Sequence, residues 1–285
     1  MSRIAYVNGQ YLPHRMAHVH IEDRGYQFAD GVYEVVTVSS GKLIDEAGHL
    51  DRLWRSLGEL KIAAPMKREP LKFVMREVIR RNSIFDGIIY MQVTRGVAPR
   101  DHPFPDNTAP ALVMTAKRLS IPKAAKKAEE GVSVITLPDI RWARRDIKSV
   151  SLLPNILAKQ EAKDKGAYEA FMVDDAGMVT EGSSTNAWIV DQDGKIITRE
   201  TSNSILAGIT RAALLRELEE KGLEVEIRNF SVDELQNARE VFLTSSTSYV
   251  LPVVKVDDHV IGNGHPGSIS LNLRGIYQDF MTSGS

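Results

Sequence analysis

Arg118-Leu119-Ser120-Ile121-Pro122-Lys123-Ala124-Ala125-Lys126-Lys127-Ala128-Glu129-Glu130 separates two stretches of unlike texture. The segment is polar, carries Pro122 and several lysines, and reads as the joint between two domains, residues 1–120 and 121–285. Upstream of it, strands and helices mix. Tyr6-Val7-Asn8-Gly9-Gln10-Tyr11 sets an Asn-Gly pair between strand-like residues, which predicts a hairpin. Val32 to Val38 predicts a strand that turns at Ser39-Ser40-Gly41. From about His49, Leu50, Leu53, Trp54, Leu57 and Leu60 recur at helical spacing. A second helix is predicted over Glu69 to Asn82, with Leu71, Val74, Val78 and Ile79 inward, then strands Ile88 to Thr94 and Ala111 to Ala116.

Downstream, short strand pairs are joined by Asp/Gly turns: Phe171-Met172-Val173 against Met178-Val179, and Trp188-Ile189-Val190 against Lys195-Ile196-Ile197. Two helices interrupt them, about Leu152 to Lys165 and Thr210 to Lys221. Each stops at a glycine, Gly166 and Gly222, because glycine takes the left-handed conformation without steric cost. The class is α+β in two domains, an arrangement that offers a cleft for a cofactor between them.

Composition excludes more than it selects. A net charge of -1 over 285 residues leaves no field to draw nucleic acid or an anionic membrane. With no cysteine there is no disulfide, thiolate nucleophile or Cys-ligated metal. Met1-Ser2-Arg3-Ile4-Ala5-Tyr6 lacks the apolar core of a signal peptide, and no apolar run approaches spanning length, so an intracellular soluble protein is expected.

Several constellations could carry chemistry, each with a plainer reading beside it. Lys148, in Asp146-Ile147-Lys148-Ser149-Val150, reads alone as a solvated lysine. As a nucleophile it would need its ordinary pKa of about 10.4 lowered, and Arg141, Arg144 and Arg145 just upstream could do that. Glu181, in Val179-Thr180-Glu181-Gly182-Ser183-Ser184-Thr185-Asn186, is either an acid in a hydrogen-bonding turn or a carboxylate held to meet a protonated ring nitrogen. Leu206-Ala207-Gly208-Ile209-Thr210-Arg211 opens a helix whose amides suit a phosphate, although capping by Thr210 accounts for it equally. Ser246, within Thr244-Ser245-Ser246-Thr247, could add a donor. Arg52 projects away from the Leu50/Leu53/Trp54/Leu57 stripe, toward solvent or toward a phosphate in the cleft. Arg100 and His102, two apart in a loop, could grip a carboxylate together. Tyr33 reads first as a packed strand aromatic. His14, His18 and His20 have no partners at metal-ligand spacing, and no dinucleotide or P-loop fingerprint is present.

Taken in chain order, these motifs resemble one family. Glu22-Asp23-Arg24-Gly25-Tyr26-Gln27-Phe28-Ala29-Asp30-Gly31-Val32-Tyr33-Glu34 is similar to the D-amino acid aminotransferases of the fold-type IV pyridoxal-phosphate class. His49-Leu50-Asp51-Arg52-Leu53, Gln92-Val93-Thr94-Arg95-Gly96-Val97-Ala98-Pro99-Arg100, Asp146-Ile147-Lys148-Ser149 and Thr180-Glu181-Gly182-Ser183-Ser184 follow in the family's order, over essentially the whole chain. The Lys and Glu-Gly-Ser motifs belong to the whole fold class. Arg100-x-His102 is the narrower mark of the D-specific family.

The resemblance implies a smaller N-terminal α/β sandwich and a larger C-terminal, cofactor-binding, β-rich pseudo-barrel with helices, the active site in the cleft between them. It implies pyridoxal 5′-phosphate as cofactor, bonded to Lys148, with Glu181 on its ring nitrogen. Arg52, the Ile209 and Thr210 amides and Ser246 would hold its phosphate. Tyr33, Arg100 and His102 would hold the substrate carboxylate, the last two reaching across a homodimer. The implied reaction passes an amino group between a D-amino acid such as D-alanine and a 2-oxo acid such as 2-oxoglutarate, in the cytoplasm. An L-branched-chain aminotransferase, an (R)-amine transaminase or an aminodeoxychorismate lyase of the same class is the alternative. Ser151 and Pro154 depart from the family's usual pattern and bear on fine substrate preference.

Overall fold

Asn8 and Gly9 take φ of +46° and +95°, a left-handed pair whose twist matches that of the strands it joins. The predicted hairpin accordingly forms between Ile4–Val7 (β1) and Gln10–Pro13 (β2). This computed structural model describes residues 3–283. Met1 and Ser2, part of the stretch read for a signal peptide, lie outside the described residues. The chain divides into two units: residues up to Ser120 with Ile147–Ser151, and Ile121–Asp146 with Leu152 onward.

In the first unit follow Arg24–Phe28 (α1), Gly31–Ser39 (β3), Lys42–Leu43 (β4), Glu46–Glu59 (α2), Arg68–Arg81 (α3), Gly87–Thr94 (β5) and Ala111–Arg118 (β6). The six strands pair antiparallel in the order β2-β1-β6-β5-β3-β4. Two helices cover one face. Leu50, Leu53 and Leu57 of α2 and Leu71, Met75 and Val78 of α3 pack against Val36, Ile89, Met91 and Met114 of the sheet. Burying these side chains contributes about 1.5–3 kcal/mol each, which is why the apolar periods were readable.

The polar stretch that divides the sequence becomes, in the second unit, a helix, Ile121–Glu130 (α4). After it come Val132–Pro138 (β7), Leu153–Asp164 (α5), Glu169–Val173 (β8), Val179–Gly182 (β9), Asn186–Val190 (β10) and Ile196–Thr198 (β11). The unit continues with Ile209–Glu220 (α6), Val225–Ile227 (β12), Val232–Gln236 (α7), Glu240–Ser245 (β13), Tyr249–Val256 (β14), His259–Val260 (β15) and Ser268–Ser283 (α8). Among the described residues the sheet has nine strands in the order β12-β11-β10-β13-β14-β7-β8-β9, with β15 on β14. The sheet curls, so β9 at its end comes near β10 without pairing to it. Phe171, Ile189, Phe230, Leu243 and Leu251 fill one core. Trp188 is fully buried, stacks on Phe242 at 5.3 Å and donates Nε1–H to Thr244 Oγ1 at 3.0 Å. Sandwich and curled sheet together make the α+β fold that was expected.

Candidate active site

Alternation along β3 sends Val32, Glu34 and Val36 into the core and turns Tyr33 and Val35 to the opposite face. Residues 147–151 return to pair with the start of this strand. Tyr33 N donates to Lys148 O and Val150 N to Gly31 O, both at 3.0 Å, with an antiparallel bridge between Val32 and Ser149. Lys148 N donates to Ser56 Oγ at 3.3 Å. The backbone on both sides of Lys148 is thereby fixed, and its Nζ stands 4.3 Å from the centroid of the Tyr33 ring. Tyr33 in turn lies 5.8 Å from Tyr90, whose hydroxyl donates to Gln92 Oε1 at 2.7 Å. Burial, with the Tyr33 phenol nearby, raises the Tyr90 pKa to about 12, so it remains a donor. The structure thus joins Lys148 and Tyr33 and adds Gln92, which opens one of the family motifs, and Tyr90, which no sequence motif marked.

Arg52 departs from the sequence reading. Rather than projecting away from the core stripe, it is buried, because His49 and Ser56 are buried too and widen the inward face of α2 around to it. Arg52 Nε and Nη2 donate to the two oxygens of Glu34 at 2.7 and 2.8 Å, and His49 Nδ1 lies 2.7 Å from Glu34 Oε2. Burial alone would raise the Glu34 pKa. The Arg52 charge and the hydrogen bonds from Arg52 and His49 outweigh it and hold the carboxyl at about 2. For His49 burial wins, keeping its pKa below the ordinary value despite Glu34.

Arg100 and His102 are exposed and meet on one ring: the Arg100 guanidinium stands 4.6 Å from the Phe28 centroid, and the His102 ring 5.6 Å. Arg24 pins their loop by donating to the carbonyls of Asp101 and His102 at 2.6 and 3.3 Å while Asp30 holds its Nε at 2.9 Å. The two are thereby held side by side on the Phe28 ring. None of their hydrogen bonds or ring contacts among the described residues reaches Tyr33.

In the second unit Glu181 lies inside β9, not in a turn, and is buried. Its oxygens accept from Arg141 Nη1 at 2.5 Å, Asn186 Nδ2 at 3.0 Å and the Leu206 amide at 3.1 Å. The three arginines upstream of Lys148 each pair with acids: Arg141 with Asp139 and Glu181, Arg144 with Asp146, Arg145 with Asp139. Burial would raise the Asp139 pKa, but the bonds and charge of Arg141, the Thr180 hydroxyl and Arg145 bring it below the carboxylate range.

Asn186 also donates to Leu206 O at 3.0 Å, so one network leads from Glu181 to the start of α6. Capping by Thr210 does not occur: the N-cap is Gly208, which offers no side chain to the free amides of the first turn. A Cβ at Gly208 would fall 1.9 Å from Asn186 Oδ1. Ser246 sits in the turn between β13 and β14. No group of three or more His, Cys, Asp or Glu among the described residues could hold a metal ion.

The family profile of amino-transferase class IV matches residues 31–256. The chain belongs to the class IV aminotransferases. It is 42% identical to a D-alanine aminotransferase of Bacillus licheniformis, over 97% of this chain and 96% of that one. A D-alanine aminotransferase of Listeria monocytogenes is 38% identical over 97% of this chain and 95% of that one. In structure, the T.th. branched-chain amino acid aminotransferase with pyridoxamine 5′-phosphate superposes with a TM-score of 0.90 at 26% identity, covering 98% of this chain and 94% of that one.

Class IV aminotransferases are pyridoxal-phosphate enzymes, and the donor set here fits that cofactor. It includes an amine on a fixed backbone at Lys148, a buried acceptor at Glu181 that three donors hold rigid, and a first helical turn at Gly208-Ile209-Thr210 without a side-chain cap from its N-cap residue. Sequence reading gives no such role to the partners, Glu34 and His49 around Arg52, and Arg141 and Asn186 around Glu181, although each lies in or beside a quoted motif. Glu34 also stands out as a charged residue in the apolar Val32/Val36/Val38 alternation.

Proposed function

We propose that this aminotransferase acts on D-amino acids, passing the amino group of a substrate such as D-alanine to a 2-oxo acid such as 2-oxoglutarate, as a homodimer in the cytoplasm. Full-length likeness to D-alanine aminotransferases is the observation that carries the reading. The paired Arg100 and His102 on Phe28 agree with it.

Bound pyridoxal phosphate supplies an aldehyde that takes up amino groups and a protonated ring that draws electrons from the substrate carbon. Lys148 Nζ has two tasks: it anchors the cofactor covalently, and when displaced it takes the α-proton of the substrate and later returns one. Its backbone bonds to β3 hold the amine in place for both. Glu181 keeps the proton on the ring nitrogen, with Arg141 and Asn186 preventing its rotation away. Arg52, the Ile209 and Thr210 amides and Ser246 bind the phosphate. Tyr33 meets the substrate carboxylate, aided by the partner subunit's Arg100 and the partner subunit's His102. Because the α-hydrogen must point at Lys148 Nζ, the side on which the carboxylate is held selects the hand of the substrate.

The test is direct. D-Alanine with 2-oxoglutarate should yield pyruvate and D-glutamate, and L-leucine should give little turnover in the same assay; turnover of L-leucine alone would overturn the D-assignment. Lys148→Ala should lower turnover by ~10³-fold or more. Borohydride reduction followed by peptide mapping should place the cofactor on Lys148 and on no other lysine.

A further inference from the structure

The turn that carries Ser246 is held in an unusual way. Ser245 and Tyr249 close the β13–β14 ladder, leaving Ser246-Thr247-Ser248 as a three-residue loop. The turn in such loops is commonly followed by a residue in the left-handed region, a place suited to glycine. Here that residue is Tyr249, at φ +60°. A bulky L side chain holds that conformation only where its surroundings enforce it.

Arg274 of α8 reaches both sides of this residue. Its Nη1 donates to Ser248 O at 2.9 Å and to Val250 O at 2.6 Å, the carbonyls on either side of Tyr249. Its guanidinium stands 5.6 Å from the centroid of the Tyr249 ring. Arg274 is only 7% exposed, and among the described residues no carboxylate pairs with it. Burial holds its pKa below the ordinary arginine value, opposed only by Tyr249. A buried cation without a counter-ion is costly to keep. The helix that delivers it is itself anchored, since Glu240 of β13 accepts from the amides of Ile269 and Ser270 at 3.0 and 2.8 Å. Ser248 is fixed from its other side as well, its hydroxyl 2.7 Å from the Tyr168 phenol.

We propose that Arg274 is a positioning residue for the cofactor phosphate: by clamping the carbonyls of Ser248 and Val250 it keeps Tyr249 left-handed and so aims the Ser246-Thr247-Ser248 turn. The inference rests on the proposed reading that places the turn carrying Ser246 at the phosphate. A role confined to anchoring α8 on β14 makes a different prediction, because it would weaken every ligand alike.

The discriminating experiment compares pyridoxal phosphate with phosphate-free pyridoxal, titrated by absorbance into enzyme freed of cofactor. In Arg274→Met the preference for the phosphorylated form should fall about tenfold, with pyridoxal affinity and thermal midpoint much less affected. An unchanged preference, or parallel loss of both ligands, overturns the proposal. If Arg274→Met does not fold, Arg274→Lys is read in the same way, with an expected fall of about threefold because an ammonium lacks the guanidinium's fork. Ser246→Ala, measured alongside, separates the two assignments. If it leaves the preference unmoved while Arg274→Met lowers it, Ser246 loses its role and the clamp on the turn stands. If Ser246→Ala lowers it and Arg274→Met does not, the clamp fails alone.

Discussion

Glu34 has no exposed surface, yet three donors from Arg52 and His49 converge on its two oxygens. Removing one member of such a buried set leaves the others charged or polar with no partner, a cost of about 3–5 kcal/mol. Glu34→Gln should therefore lower the unfolding free energy by an amount in that range and weaken cofactor binding through Arg52. The pH dependence has a definite sign. Because the folded pKa of Glu34 is held at about 2, below the ordinary 4.5, the unfolded chain binds the proton first as pH falls. The contribution is complete above about pH 4.5 and is lost progressively down to about pH 2, amounting to about 3 kcal/mol. Denaturant titrations across that window should show the loss in the native protein and its absence in Glu34→Gln; matching slopes would contradict the assignment. His49, with its pKa lowered, adds a loss in the same direction, starting below its ordinary value of 6.5. Residue types are legible in the sequence, but the burial of Arg52 is not, because His49 and Ser56, which extend the inward face of α2 to it, are polar.

At the scale of elements, the start of α6 shows what a missing side chain does. Gly208→Ala would bring a Cβ within 1.9 Å of Asn186 Oδ1. Asn186 is a short side chain, but it cannot yield cheaply, since it is tied to Glu181 and to Leu206 O. Displacing it should loosen both Glu181, the proposed ring-nitrogen partner, and the first turn, lowering affinity for pyridoxal phosphate about tenfold. Absorbance titration checks this, and an unaltered affinity would remove the α6 terminus from the cofactor cradle. Where helix limits were marked by glycine they were readable: Gly166 and Gly222 take φ of +73° and +69° just past α5 and α6. The last helix was not. Ser268-Ile269-Ser270-Leu271-Asn272-Leu273 alternates polar and apolar residues as a strand would, yet α8 forms because Glu240, far upstream, accepts from the amides of its first turn.

At the scale of the whole molecule, the second unit exposes Leu153, Ile156 and Leu157 on α5, at 67%, 59% and 56% of their surface. Their spacing puts them on one helical face, an apolar surface suited to a second copy. Sedimentation of the purified enzyme should give twice the chain mass, and Leu157→Asp should shift it toward a monomer with reduced turnover. A native monomer with full activity would end the dimer assignment. No helix among the described residues is long and apolar enough to cross a membrane. The amino-acid sequence by itself determined the elements whose polarity repeats locally, the hairpin at Asn8-Gly9, the glycine stops and the residue types of the motifs, because those follow from neighbours within a turn or a strand. Tertiary structure alone decided that residues 147–151 return to β3, that Arg52 meets Glu34, that Arg141 secures Glu181 and that Arg274 clamps the Ser246 turn. Charge pairing and backbone closure depend on separation through space, and no period along the chain encodes that.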